Sequence, residues 1–443
     1  MARRSRQRVM PEPFEVDIEN LSHEGRGISH HNGKTIFVFG ALPGERVKIE
    51  LNKSNKTYAE ATAIEVIKAS PDRIEPHCPH FKMCGGCSLQ HVSQDTQLRL
   101  KQESLLEMLQ HAGIEIGEVL PTITSKPWGY RRKARLGVKF VQKKGRLLVG
   151  FRERNKPYLA DMDSCAILVE RVGLHLTDLM ALIGAMDARE TIAQIEVASD
   201  DEHCMLVFRH LKDLSETDLE RLTQFAKDSG FWVSLQPQGP DSIHPLYPEL
   251  QELRFKPLPD TDISIRFKAN DFTQVNAAVN QAMVQQALSF LDLQAEDKVL
   301  DLFCGLGNFT LPMALQAKQV TGVEGDEAMV QRARDNAIEH DITNTEYFAE
   351  DLTQVEYKPR WMKQRYDKIL LDPPRSGALE IVQKLKPMGA STIVYVSCQP
   401  TSLVRDALIL CKQGYHLTHL GLMDMFPHTA HVESMAVFKK LKR

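Results

Sequence analysis

Five apolar runs between Val299 and Cys398, each ending in a polar or reactive group, constrain the fold more than any other feature of the chain. Val299-Leu-Asp301-Leu-Phe303-Cys-Gly305-Leu-Gly307-Asn308-Phe-Thr310 reads as a buried strand running into a glycine turn and a helix. Val320-Thr-Gly-Val-Glu324 is a second strand, Tyr347-Phe-Ala-Glu-Asp351 ends a third, Asp367-Lys-Ile-Leu-Leu-Asp372-Pro-Pro-Arg375 ends a fourth, and Ser391 to Cys398 is the fifth. An apolar helix carrying Val279, Met283, Ala287 and Phe290 introduces them. Strands alternating with helices predict a doubly wound parallel sheet, in which ligands bind outside the carboxyl ends of the strands.

At 443 residues the chain is too long for one ordinary core and predicts two or three domains. Residues 14 to 67 carry five or so short strands punctuated by Gly25, Gly27, Gly33 and Pro43-Gly44, which predicts a small closed barrel. A proline-interrupted linker follows, Pro71 to Pro79, and then a helix between Ser93 and Gly113 with leucines at helical spacing. From Trp128 to about Asp262 strands and helices mix, Ala193–Val197 and Cys204–Phe208 among them, and predict no more than an α+β region. The expected domains are 1–70, 71–265 and 266–443.

A net charge of −3 hides a local asymmetry. Between Lys126 and Lys156 there are twelve lysines and arginines and one acid, Glu153, with Trp128, Tyr130, Phe140, Phe151 and Tyr158 on or beside the run. Arg3, Arg4, Arg6 and Arg8 add a basic tail. Cations interleaved with aromatics predict a nucleic-acid partner. No run of about 18 apolar residues predicts a membrane span. Met-Ala-Arg-Arg-Ser-Arg has no apolar signal-peptide core, so a cytoplasmic protein is expected, with no membrane or DNA partner and as a monomer. Eight cysteines are too sparse for a disulfide scaffold and are expected to stay reduced. Cys78, Cys84, Cys87 and the distant Cys165 form a set of four thiolates suited to an iron–sulfur cluster or to structural zinc. Three clustered cysteines with one far downstream favour iron–sulfur. A fourth cysteine argues against radical chemistry at an open iron. Cys204, Cys304 and Cys411 read as packing residues.

Asp301 and the glycine turn, followed 23 residues later by Glu324, suit a nucleoside cofactor whose ribose hydroxyls a carboxylate accepts. A nicotinamide cofactor would want a third glycine where Thr310 stands. The order Asp-x-Phe-x-Gly-x-Gly, acid, acid, Asp-Pro-Pro resembles a class I S-adenosylmethionine-dependent methyltransferase. Cys398 in Ser-Cys-Gln-Pro and Glu433 in His431-Val-Glu433 add a thiol and a carboxylate. Uracil C5 is electron-poor and does not attack a sulfonium methyl unaided. A thiolate adding to C6 makes C5 nucleophilic, and a base must then remove the C5 hydrogen so that the thiolate can leave. One cysteine and one carboxylate meet those two needs.

Ser397-Cys398-Gln-Pro, His431-Val-Glu433, Asp372-Pro-Pro-Arg375 and Phe272-Thr-Gln274-Val-Asn276 together resemble the RNA 5-methyluridine methyltransferase family over essentially the whole chain. Leu21-Ser-His-Glu-Gly-Arg-Gly-Ile and Phe37-Val-Phe-Gly-Ala-Leu-Pro-Gly-Glu-Arg-Val47 resemble the TRAM domain, an OB-like RNA-binding barrel. The resemblance implies an N-terminal TRAM barrel, a central α+β domain and a C-terminal Rossmann-like methyltransferase domain. It implies a [4Fe-4S] cluster on Cys78, Cys84, Cys87 and Cys165. It implies S-adenosylmethionine held by Gln274, Phe303, Asn308, Glu324, Asp351 and Asp372, with Cys398 as nucleophile and Glu433 as base. Some relatives carry Asn where this chain has Asp351, and either accepts from the adenine amine. A tRNA-modifying relative lacks barrel and cluster, so their presence implies 23S rRNA as the substrate, with the target base flipped from its stack. A tRNA enzyme and a non-catalytic RNA-binding or ribosome-assembly factor are the alternatives.

Overall fold

The computed structural model describes residues 12–22, 24–354 and 359–440, so the arginines of the basic tail lie outside the described residues. The chain forms two compact units, one of residues 1–104 with 428–431 and one of residues 105–427 with 432–443.

In the first unit β1 (Phe14–Asp17), β2 (Asn20–Leu21), β3 (Gly27–His31), β4 (Lys34–Phe39), β5 (Arg46–Ser54) and β6 (Tyr58–Lys68) form one sheet in the order β1-β5-β6-β4-β3-β2. Because β1 and β2 are consecutive, the two edges of this sheet meet. Ile18 N–H donates to the Glu45 carbonyl and Glu19 N–H to the Ile28 carbonyl, both at 2.8 Å, and the expected barrel is closed. Alternation sends Val16, Ile36, Val38, Val47 and Ile49 inside. Glu45, its side chain buried, accepts from Arg73 Nε at 2.5 Å and Nη2 at 2.6 Å and from Ser70 N–H at 3.1 Å, which ties the linker to the barrel. Burial raises its carboxyl, but the bonds from Arg73, Ser70 N–H and Leu42 N–H together outweigh that and hold it below the usual carboxylate range. Helix α1 (Gln94–His111) follows where the leucine spacing predicts it.

The second unit continues with β7 (Ile116–Val119), β8 (Lys133–Val141), β9 (Arg146–Gly150), α2 (Glu170–Gly173), α3 (Leu176–Gly184), β10 (Ile192–Ser199), β11 (Cys204–His210), α4 (Glu216–Ser229), β12 (Trp232–Gln236) and β13 (His244–Tyr247). These strands, β7 excepted, make a mixed sheet in the order β13-β12-β11-β10-β8-β9. The short pair β14 (Leu253–Phe255) and β15 (Ile265–Phe267) leads to α5 (Ala277–Leu291). Then come β16 (Lys298–Leu302), α6 (Thr310–Ala314), β17 (Gln319–Glu324), α7 (Glu327–Glu339), β18 (Thr345–Ala349), β19 (Lys368–Leu371), α8 (Leu379–Val382), β20 (Thr392–Ser397), α9 (Pro400–Lys412), β21 (Tyr415–Met423) and β22 (Glu433–Lys440).

The large sheet runs β18-β17-β16-β19-β20-β22-β21-β7, its first five strands parallel as expected. Every residue of β20 is buried, as a strand covered on both faces must be. Helix α5 packs Val279, Met283 and Ala287 against Leu370, Val394 and Val396, each such burial contributing roughly 1.5–3 kcal/mol. Two features were not anticipated. An antiparallel pair, β21 and β22, extends the sheet past Cys398, and β7 joins its far edge although it lies before the central strands in sequence. Among the described residues no helix is long and apolar enough to cross a membrane.

Candidate active site

The chain leaves β16, builds β17 and β18 on one side, and returns to β19 on the other. That reversal opens a crevice at the carboxyl ends of β16 and β19. There Phe303 has φ 66°, Gly305 φ 55° and Gly307 φ 96°, so the turn after β16 uses left-handed backbone that glycine adopts without strain and Phe303 must be held in. Phe303 N–H donates to the Val323 carbonyl at 2.8 Å, which fixes it. Asp372 N–H donates to the Leu302 carbonyl at 3.2 Å, bringing the Asp-Pro-Pro-Arg turn to the same crevice.

Glu324, at the end of β17, accepts from the N–H groups of Gly305 (3.2 Å), Gly325 (2.7 Å) and Asp326 (3.2 Å), so its carboxylate is oriented before any ligand arrives. Asn308 exchanges amide bonds with Asn280 of α5, at 2.9 and 3.0 Å. Asn280 was not anticipated. Gln274 is half-buried in the segment entering α5, which Asn276 caps by accepting from Val279 N–H and anchors through Ser125 Oγ at 2.8 Å. Asp351 stands two residues beyond β18, exposed, with Oδ1 accepting from the Thr353 N–H and hydroxyl at 2.9 and 2.7 Å; those bonds lower its carboxyl.

Asp301 is fully buried, and Oδ2 accepts from the Thr310 hydroxyl at 2.5 Å. Thr310 thus uses the position of a third glycine to anchor the strand. Burial, with the nearby Asp372 and Glu324 charges, pushes the Asp301 carboxyl up to about 8 against the Thr310 bond. Burial and Glu324 push Asp372 up to about 7. Oδ1 of Asp301 is buried without a hydrogen-bond partner among the described residues, an arrangement that fits a polar ligand completing the crevice.

The reactive pair is brought together by strand register. Antiparallel β20 and β22 pair Tyr395 with Ala436, Val396 with Met435 and Ser397 with Ser434. Cys398 directly follows Ser397 and Glu433 directly precedes Ser434, so both residues lie at the end of that register. Cys398 is half-buried and Glu433 buried. Burial, then the Glu433 and Asp372 carboxylates, push the Cys398 thiol up to about 12, while the Arg375 guanidinium acts against them. Thiol, two carboxylates and guanidinium therefore share one electrostatic environment.

A second unanticipated residue, Asp406 on α9, holds the turn that carries Arg375. Its fully buried carboxylate accepts from Ala378 N–H (2.7 Å) and the Tyr395 hydroxyl (2.7 Å) through Oδ2, and from Arg405 Nε (2.8 Å) through Oδ1. Arg405 Nη2 donates in turn to the Ser376 carbonyl at 2.9 Å. Gly377 has φ 77°, and a Cβ there would stand 2.7 Å from Asp406 Oδ2.

In the first unit the cysteine loop and the segment ahead of Glu433 are laced together. Ser88 and Leu89 N–H donate to the His428 carbonyl at 2.8 and 2.9 Å, Ala430 N–H to Ser88 Oγ at 3.0 Å, and His428 N–H to Gln97 Oε1 at 3.0 Å. Cys84 and Cys87 are buried, as is Cys165 in the second unit, and Cys78 is half-buried. Gly86 N–H donates to Cys84 Sγ at 3.3 Å, which favours a thiolate, so the donor chemistry fits a soft metal centre. Among the described residues no group of three or more His, Cys, Asp or Glu is gathered to hold a metal ion. Cys204 and Cys304 are buried, as packing residues should be.

A family model described as tRNA (Uracil-5-)-methyltransferase matches residues 93–441, and one described as TRAM domain matches residues 12–64. The chain belongs to the uracil-5 RNA methyltransferase family. Within it, the chain is 50 % identical over 439 residues to the 23S rRNA (uracil(1939)-C(5))-methyltransferase RlmD of Alkalilimnicola ehrlichii, with 99 % of each chain covered. The RlmD of Hahella chejuensis is 48 % identical over 444 residues, again with 99 % of each covered. The crystal structure of Pyrococcus abyssi tRNA (uracil-54, C5)-methyltransferase in complex with S-adenosyl-L-homocysteine is similar with a TM-score of 0.72 at 22 % identity, covering 96 % of this chain and 100 % of that one. This family member corrects one expectation. A tRNA enzyme shares the fold over nearly the whole chain, barrel included, so domain arrangement alone does not choose between rRNA and tRNA.

Proposed function

We propose that this chain transfers a methyl group from S-adenosylmethionine to C5 of a uridine in 23S rRNA, at the position corresponding to 1939, as a monomer in the cytoplasm. The observation that supports the chemistry is the β20–β22 register, which ends beside Cys398 and Glu433, together with the Glu433 and Asp372 charges felt by the Cys398 thiol. The choice of RNA is carried by relatives about half identical along their full length.

Cys398 is the nucleophile. Its sulfur forms a bond to uracil C6, and the electron pair displaced from the C5–C6 double bond makes C5 a carbon nucleophile. When bound, S-adenosylmethionine supplies an electrophilic methyl group to that carbon. Glu433 then takes the C5 proton, the double bond re-forms, and the Cys398 sulfur leaves. A thiol pushed up to about 12 is mostly protonated at neutral pH, and the Arg375 guanidinium offsets part of the carboxylate charge that opposes its ionisation. In the crevice Glu324 is poised for ribose hydroxyls and Asp351 for an adenine amine, while Gln274, Phe303, Asn308 and Asp372 hold the remainder of the cofactor. The thiols Cys78, Cys84, Cys87 and Cys165 would hold a [4Fe-4S] cluster; an all-sulfur donor set and the N–H donated to Cys84 support this. The loop that carries Cys78, Cys84 and Cys87 is the one bonded through Ser88 and Leu89 to His428 and Ala430, so these thiols would hold the cluster beside that contact.

Incubation of the protein with methyl-labelled S-adenosylmethionine and unmodified 23S rRNA or tRNA, with Cys398→Ala in parallel, tests the proposal. Label at C5 of one 23S uridine, absent with the variant, is expected. Label on tRNA would overturn the substrate, and label on neither RNA would overturn the activity.

A further inference from the structure

Strand β8 alternates Lys133, Arg135, Gly137 and Lys139 with the buried Ala134, Leu136 and Val138. A period of two therefore puts the cations of the strand on the face opposite Ala134, Leu136 and Val138, with Arg135 and Lys139 exposed and the Lys133 ammonium buried. The stripe begins at Lys133. It runs from there along β8, four residues or about 13 Å to Gly137.

Past β9 the chain doubles back over this face. Glu153 N–H donates to the Tyr158 carbonyl at 2.8 Å and Ala160 N–H to the Phe151 carbonyl at 2.9 Å, with Asn155 turning the hairpin at φ 57°. Gly137 makes room for it: a Cβ there would lie 2.6 Å from Leu159 Cδ2. Between hairpin and sheet is a cavity of about 730 Å³, lined by Phe151, Tyr158 and Leu159 and by Arg135, Lys139 and Arg152. That volume is within the range of sites that bury a small ligand. Tyr158 is 67 % exposed, so one face of its ring is open to solvent at the cavity. Lys144 and Glu153 also line the cavity and are occupied: Lys144 pairs with Asp161 at 3.1 Å and Glu153 with Lys156 at 3.2 Å. Arg135 reaches Glu196 only at 3.5 Å and is mostly exposed, and Lys139 and Arg152 make no ion pair among the described residues.

An aromatic face in a cavity that also carries Lys139 and Arg152, two exposed cations outside the ion pairs of the described residues, is the chemistry that takes one unpaired base by stacking and its phosphates by charge. We propose that this cavity is a second RNA subsite, which receives an unpaired nucleotide of the strand flanking the target uridine, its base stacked on Tyr158 and its phosphates on Lys139 and Arg152. The subsite rests on the reading of the chain as an RNA-modifying enzyme, and it adds a contact distant from the reacting atoms.

The test is equilibrium binding of a fluorescent fragment of unmodified 23S rRNA that contains the target uridine, titrated with salt on the full-length protein. Tyr158→Ala is expected to weaken binding about 5- to 150-fold, the worth of one base stacked on an aromatic ring, and Tyr158→Phe to bind as the wild type does. The double variant Lys139→Ala/Arg152→Ala is expected to flatten the slope of log K against log salt by about 1.4, two contacts at about 0.7 each. At saturating RNA all of these variants keep the wild-type kcat, so the loss appears in KM. Binding and salt slope unchanged in both variants would overturn the subsite. Tyr158-dependent binding without methyl transfer by the wild type would instead overturn the methyltransferase reading and leave the subsite standing. All three side chains are exposed, so their substitution leaves the thermal unfolding midpoint in place.

Discussion

At the scale of single residues, burial in the crevice raises the Asp301 and Asp372 carboxyls and the Cys398 thiol. Above pH 7, where Asp372 has lost its proton, the thiolate of Cys398 is the scarce species. Single-turnover formation of the Cys398–RNA adduct should therefore rise with pH by up to about tenfold per unit between pH 7 and 9. Arg375→Ala should slow it throughout that range, because the guanidinium acts to lower the thiol. Asp301 bears on stability. Its folded-state value of about 8 lies above the unfolded value near 4, so its contribution is fully present below pH 4 and is lost as pH rises through 8. The thermal midpoint of the ligand-free protein should fall over that window, and Asp301→Asn should fall less. Cys398, Glu433 and the acids at the strand ends were legible because each sits in a short motif with its own chemistry. Asn280 and Asp406 were not, because a lone Asn or Asp inside a helix carries no local signal; only the fold shows that one meets Asn308 and the other Ala378.

At the scale of elements, β22 decides the site. The five parallel strands were readable from apolar runs with polar ends. The antiparallel return that brings β22 back to the end of β20 pairs Ser397 with Ser434, thirty-seven residues on, and β7 pairs with β21 from three hundred residues away. Neither register is written in local periodicity. The turn between β19 and α8 depends likewise on a distant anchor. Asp406→Ala would strip the acceptor from Ala378 N–H, the Tyr395 hydroxyl and Arg405 at once. Denaturant unfolding should show a loss of about 3–5 kcal/mol, with Asp406→Asn losing less.

At the scale of the whole molecule, the first unit is not a simple N-terminal domain, since residues 428–431 complete it from the far end of the chain. A fragment of residues 1–104 lacks the His428 carbonyl that Ser88 and Leu89 bind and the His428 N–H that Gln97 accepts. Hydrogen exchange on that fragment should find the barrel strands protected and the amides of Ser88 and Leu89 fast, each lost bond costing about 1 kcal/mol. The barrel was legible from its glycine turns and alternation, whereas this crossing was hidden because nothing in the His428-Thr-Ala-His431 sequence announces a partner more than three hundred residues earlier. The same segment runs directly into Glu433 in the sequence.

The central claim is that Cys398 bonds to the RNA and that Glu433 releases it. The most direct measurement is mass spectrometry of Glu433→Gln after incubation with S-adenosylmethionine and unmodified 23S rRNA, followed by nuclease and protease digestion. The account predicts turnover slowed by about 10²–10⁴-fold and a methylated uridine attached to the peptide carrying Cys398. A variant that turns over at the wild-type rate, or one that stalls with no nucleotide on that peptide, would contradict it.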